Sequence, residues 1–224
     1  MPFNFQHYVF DLDNTLYSSK SSFFNLQLEK MSDYIQYKLN VPRSRADFLR
    51  EDYYEQYGST MHGLMINYNI DHREFMTAID DVPLDLLQPD LTLLQRLNQL
   101  KEQGKHLSIF TNASKHHAFR VMEKLNIDQV FNDIVTLECT DLVPKPRQEA
   151  FQYCFNKLSI DPQKAVFFED SYHNLVAAKE FGMKTVLVNA NVRSSEDYSN
   201  NPEIDYFVDD IESFFKKDFI QTRV

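Results

Sequence analysis

Asp11 and Asp13, separated by one leucine in Tyr8-Val9-Phe10-Asp11-Leu12-Asp13-Asn14-Thr15-Leu16-Tyr17, are the residues best spaced for chemistry. On an extended backbone residues two apart point the same way, so the two carboxylates share one side. Held together, they need a cation near them, or one must keep its proton. Three other places carry reactive types. Thr111-Asn112-Ala113-Ser114 offers a hydroxyl, backbone amides and a helix start, the parts of an anion cradle, although Thr and Ser are also ordinary caps there. Lys145 stands in Val143-Pro144-Lys145-Pro146, a loop stiffened by its prolines; a solvated lysine is the plain alternative. Glu169-Asp170-Ser171 follows the apolar Phe167-Phe168 and either holds a cation or caps the next helix. Singly, each plain reading wins. In chain order, an acid pair, a hydroxyl, a lysine and a second acid pair supply a nucleophile, a phosphate cradle, a charge neutraliser and metal ligands.

Strands and helices must bring these groups together. The apolar Tyr8-Val9-Phe10 reads as a buried parallel strand. Helical periodicity then runs through Leu28, Met31, Ile35 and Leu39 to Pro42, continues from Ser44 to Tyr57, and is punctuated by Gly58 and Gly63. Asp71 can cap a further helix holding Phe75 and Ile79. From Pro89 the pattern alternates. Leu91 to Leu100 forms a helix stopped by Gly104, and strands are expected at His106–Phe110, Ile134–Leu137, Ala165–Phe168, Thr185–Val188 and Tyr206–Val208. Helices fall between them, the last around Ile211 to Phe219. Such alternation specifies an α/β, Rossmann-like, mainly parallel sheet. Ligands bind outside the carboxyl ends of its strands, where all four motifs lie. The division expected is a core of residues 1–16 plus 89–224 and an inserted α-helical cap of residues 17–88 over Asp11.

The 224 residues carry a formal net charge of −10 and only short basic clusters, Arg43-Ser44-Arg45 and Lys216-Lys217, which argues against a nucleic acid polymer as partner. A small anion remains accessible, because a bound divalent cation reverses the local field. Cys139 and Cys154 lack metal-ligand spacing and are read as reduced thiols. No apolar run approaches the ~20 residues needed to cross a bilayer, and the first strand begins within a few residues of Met1. The expectation is a cytoplasmic protein with no membrane association and no implied protein partner. Only four glycines occur, none in a dinucleotide-binding fingerprint.

The order Asp-x-Asp-x-Thr-Leu, strand-end Thr, Lys-Pro and acid pair with Ser resembles the four motifs of the haloacid-dehalogenase-like phosphohydrolases, from Tyr8 to about Val188. The resemblance implies a phosphomonoester hydrolase that forms an aspartyl-phosphate on Asp11. It implies Asp13 as general acid and then base, Thr111 and the Asn112 amide as phosphate holders, and Lys145 as a brace. It implies Mg²⁺ held by Asp11, the Asp13 carbonyl and Asp170, with Glu169 direct or through water. Members that cleave carbon–halogen bonds lack the second acid, so Asp13 points to phosphate esters. Charge logic agrees. A carboxylate attacking a phosphate needs cations beside it, and a closed, dry lid would raise the pKa of Asp13.

Within that family, Asp11–Tyr17, Tyr57-Gly58-Ser59-Thr60, Gly63-Leu64, Phe110–Ala113, His117-Ala118-x-Arg120-Val121 and Phe167–Ser171 are similar to pyrimidine 5′-nucleotidases. Pro144 and Glu169 depart from their usual pattern without removing a catalytic group. The substrate implied is a nucleoside monophosphate, UMP or CMP, read in the cap by Tyr57, Gly58, Thr60, His62 and Gly63. A sugar-phosphate phosphatase or phosphomutase would share the core. A receiver-type signalling domain would use similar groups in a different chain order. His116 and His117 are neighbours on a helix and point about 100° apart, against a metal pair.

Overall fold

The structure, a computed structural model, describes residues 5–188 and 201–216. Among the described residues six parallel strands form one sheet: β1 (His7–Phe10), β2 (His106–Phe110), β3 (Asp133–Val135), β4 (Ala165–Glu169), β5 (Lys184–Val188) and β6 (Tyr206–Val208), in the order β3-β2-β1-β4-β5-β6. Strand β1 is central, with Phe10 in register with Ile109 of β2 and Phe168 of β4. The order reverses at β1, so the carboxyl ends of β1, β2 and β4 meet at the switch point of the sheet.

Alternation along the strands builds two cores. Tyr8 and Phe10, Leu107 and Ile109, and Val166 and Phe168 face one side, where Phe10 and Phe168 stack at 4.6 Å. Val9, Phe110 and Phe167 face the other with Phe151. Burial on both faces explains why these strands read as continuous apolar runs. The covering helices are α5 (Leu91–Glu102), α6 (Lys115–Lys124), α7 (Gln148–Leu158), α8 (Tyr172–Glu180) and α9 (Ile211–Phe215).

Between β1 and β2 lie α1 (Phe23–Leu39), α2 (Arg43–Tyr57), α3 (Thr60–Tyr68) and α4 (His72–Asp80), with a third core of Ile35, Leu49, Leu64 and Phe75. Asp71 accepts from the amides of Arg73 and Glu74 and starts α4. Both ends of this insertion are anchored in the sheet's own core, through Tyr17 and Phe23 before it and Val82 and Leu87 after it. Gly58 ends α2 at φ 75°, as its punctuation implied, but Gly63 does not interrupt the chain. It lies inside α3, where a Cβ would meet the Tyr53 ring at 2.4 Å, so its smallness serves helix packing.

Two other boundaries differ from the sequence reading. The strand expected at Ile134–Leu137 is Asp133–Val135, because Leu137 opens a single 3₁₀ turn to Thr140. The last helix ends at Phe215 and Lys216 follows it; the expected continuation to Phe219, and Lys217 of the basic cluster, fall outside the described residues.

Candidate active site

The end of β1 delivers Asp11 to a lysine that the sequence treats as a loop residue. Lys145 is 1% exposed, and its Nζ donates to Asp11 Oδ1, Glu169 Oε2 and the Phe110 carbonyl, each at 2.7 Å. All three donor positions are used, and the ammonium lies 5.2 Å from the ring centroids of Phe110 and Phe167. Burial alone would lower the Lys145 pKa, but the two carboxylates outweigh it and hold the group above its ordinary value. Asn112 fixes the loop: its Oδ1 accepts from the Lys145 amide at 2.8 Å, and its Nδ2 donates to the Lys145 carbonyl at 3.0 Å. Gly58 abuts the same turn, and a Cβ there would meet the Lys145 oxygen at 2.6 Å.

Glu169 closes the cluster. Its Oε1 accepts from the Asp170 and Ser171 amides, and its Oε2 from Lys145 and Asn174 Nδ2 at 3.0 Å. The longer side chain folds back to satisfy the start of α8. Burial pushes the Glu169 pKa up, yet Lys145 and these bonds bring it below the usual range. Asp11 is pushed well above it by burial and by Glu169, with Asp170 and Asp13 adding to the repulsion that Lys145 opposes. Asp11, Asp13, Glu169 and Asp170 thus crowd a single lysine, a surplus of negative charge that a cation would relieve. Asp11, Glu169 and Asp170 each offer an oxygen within 4.8 Å of the others. Oxygens on one Mg²⁺ stand at most about 4.2 Å apart, so a small inward movement of these carboxylates would bring the three around one hard cation.

Asp13 takes a different environment. Its Oδ1 accepts from Tyr17 Oη at 2.7 Å and pairs with His117 Nε2 at 2.9 Å. The expectation of a raised Asp13 pKa is corrected here. Burial raises it, but His117 and the Tyr17 hydroxyl outweigh that and leave it lowered. Thr111, 2% exposed at the end of β2, takes the Ala113 amide on its hydroxyl, and Ser114 caps α6 through the His117 amide.

These side chains open onto one cavity of about 360 Å³. Asp11, Asp13, Thr111, Asn112, Lys145 and Asp170 line its floor, while Phe24, Leu28, Met31, Phe75, Met76 and Ile79 from α1 and α4 line its roof. A family profile described as haloacid dehalogenase-like hydrolase matches residues 8–188, from β1 to the end of β5. The chain belongs to the haloacid dehalogenase-like hydrolases.

Among curated members, Phosphate metabolism protein 8 of Saccharomyces cerevisiae is 32% identical over 80% of this chain. The match covers 60% of the yeast protein, so the chain spans three-fifths of that relative's length. Pyrophosphatase PpaX of Bacillus mycoides is 25% identical over 80% of this chain and 81% of its own. Among solved structures, the magnesium-bound HAD-hydrolase YfnB of Bacillus subtilis shares the fold with a TM-score of 0.63, at 15% identity over 95% of this chain and 97% of that one.

All four motifs of this hydrolase therefore meet at one site, while the cap residues singled out from sequence do not. Of Tyr57, Gly58, Thr60, His62 and Gly63, only Thr60 lines the cavity, with its hydroxyl on the Arg50 carbonyl. Tyr57 packs on Tyr53 and His62, Gly63 is filled by Tyr53, and Gly58 meets the Lys145 turn. Tyr57 ends α2 and His62 and Gly63 lie in α3, where they are taken up in packing the two helices together. Sequence reasoning gave no role to Tyr17 or Gln27, and weighed His117 only as half of a metal pair with His116 and as part of the nucleotidase likeness. Three-four spacing puts His117 on the buried face of α6 with Val121, and that was the available signal.

Proposed function

We propose that the protein is a Mg²⁺-dependent phosphomonoester hydrolase working through an aspartyl-phosphate on Asp11, with pyrimidine nucleoside monophosphates as its preferred substrates. The Asp11–Lys145–Glu169 cluster beside Asp170 carries the phosphatase reading. In it Lys145 holds Asp11 in place just past the end of β1. The Thr111 hydroxyl and the amides after it take phosphate oxygens at the start of α6. Asp13 passes the proton to the departing oxygen. Mg²⁺, held by Asp11 and Asp170 with the Asp13 carbonyl, would neutralise phosphate charge and let a carboxylate approach. Glu169 serves chiefly as the counter-charge of Lys145, its oxygens already taken by four donors.

This division of labour has a direct check. Asp170→Asn should raise the Mg²⁺ concentration for half-maximal activity well above what Glu169→Gln requires. The reverse order in a Mg²⁺ titration would exchange the two roles.

The apolar roof favours a nucleotide. Phe24, Leu28, Met31 and Met76 present carbon to a planar base, whereas a polyhydroxylated sugar would lose hydrogen bonds there. Specificity then belongs to the apolar side chains of α1 and α4 together with the polar Arg50, Glu51, Tyr54 and Glu55 of α2, with Thr60 at the edge. The sugar-phosphate phosphatase is the competing reading, and kcat/KM across UMP, CMP, AMP, GMP and two hexose phosphates separates them. UMP and CMP should lead the purines modestly, since a pocket that mainly excludes size is a weak sieve. Equal or faster turnover of the hexose phosphates would end the nucleotidase reading and leave the phosphatase core standing.

A further inference from the structure

Asp13 is gripped from two sides, and both grips fall on the same oxygen. Tyr17 Oη donates to Oδ1, and so does His117 Nε2. Oδ2 has no hydrogen-bond partner among the described residues, on a side chain that lines the cavity. The histidine is itself fixed. It is 1% exposed, its ring stacks on Phe23 at 5.9 Å, and Gln27 Nε2 donates to Nδ1 at 3.3 Å. A donor on Nδ1 forces the ring proton of a neutral histidine onto Nε2, the atom facing Asp13. Gln27 and Phe23 lie on α1, so the insertion over the site sets the geometry of an acid that follows β1.

We propose that His117, held by Gln27, is a positioning residue for Asp13: with Tyr17 it occupies Oδ1 and reserves Oδ2 for the leaving group. This rests on the phosphomonoesterase reading. In the first step an Asp11 oxygen bonds to phosphorus as the ester P–O bond breaks, and the proton on Asp13 Oδ2 passes to the departing oxygen. Water then attacks the phosphorus and gives its proton to Oδ2 while the Asp11–phosphate bond breaks. Phosphate leaves with Asp11 restored as a carboxylate and Asp13 carrying a proton on Oδ2 again. Two donors on Oδ1 leave no room for a proton there, so every proton Asp13 carries resides on Oδ2. An unrestrained carboxylate would divide its protons between two oxygens and two orientations.

Proton donation matters for a poor leaving group and little for a good one. The test compares wild type, His117→Ala, His117→Gln and Tyr17→Phe on UMP, an alkyl ester, and on p-nitrophenyl phosphate, an aryl ester. In His117→Ala the ratio of aryl to alkyl kcat should rise about 100-fold, the scale of a general-acid contribution. His117→Gln, whose amide can place an N–H near the Nε2 position, should return most of that ratio, and Tyr17→Phe should move it the same way by less. Equal losses on both esters would overturn the proposal and make His117 merely structural. Where a thermal melt shows His117→Ala unfolded, Tyr17→Phe decides by the same ratio. A wild type that hydrolyses neither ester removes the phosphatase reading itself, an outcome distinct from a wild type active on both whose variants keep its ratio.

Discussion

Asp11→Asn should lower kcat by about four orders of magnitude or more, roughly 5.4 kcal/mol of barrier at about 1.36 kcal/mol per tenfold. Asparagine keeps the shape of the side chain but has no charge to attack phosphorus. It also weakens a proposed Mg²⁺ ligand. Stability should move the other way. Asp11 is repelled by Glu169, Asp170 and Asp13, so its neutral replacement relieves a crowded site even as it loses part of the Lys145 interaction. The thermal midpoint without Mg²⁺ should therefore stay level or rise. A variant that is inactive because it is unfolded would not meet this expectation.

Lys145→Met should fail in both respects. It removes the charge that braces Asp11 and leaves Asp11 and Glu169 buried without a cation. Breaking a buried pair from one side costs about 3–5 kcal/mol, and denaturant unfolding at pH 7 should show a loss of that size. The pH dependence has a definite sign. Glu169 has a lowered pKa in the fold, largely through Lys145 once the cost of burial is overcome. Its contribution to stability is present above the unfolded value of 4.5 and lost as pH falls through the folded one. The gap between wild type and variant should thus narrow below about pH 4.5. A gap that widens in acid would mean that Lys145 is not the partner that stabilises Glu169.

The architecture was legible because the strand signals were strong. Tyr8-Val9-Phe10, His106–Phe110, Ala165–Phe168 and Thr185–Val188 are apolar runs between turn residues, and a sheet covered on both faces demands such runs. The floor of the site was legible for a related reason. Asp11, Thr111, Lys145 and Asp170 follow strand ends or a proline-stiffened turn, where sequence order and spatial convergence coincide in a parallel sheet. The roof was not. Phe24, Met31 and Met76 look in sequence like core residues of amphipathic helices, and the difference between facing a core and facing a cavity depends on how α1 and α4 are tilted. Periodicity carries no such information. His117 was hidden likewise: a buried histidine on an apolar helix face becomes meaningful only when Asp13, 104 residues away, is seen at 2.9 Å. The cap residues misled for the opposite reason, since Tyr57, His62 and Gly63 are distinctive as letters but are spent on packing α2 against α3.

The central claim is that Asp11 itself becomes phosphorylated. The most direct measurement is to quench wild-type enzyme in acid during turnover of a phosphate ester with Mg²⁺, reduce it with borohydride, and locate the modified residue by peptide mass spectrometry. An aspartyl-phosphate is reduced to homoserine, and the account predicts homoserine at position 11, in an amount that falls away when Mg²⁺ is withheld. Homoserine at another position, or an unmodified Asp11 in enzyme caught at full turnover, would contradict it.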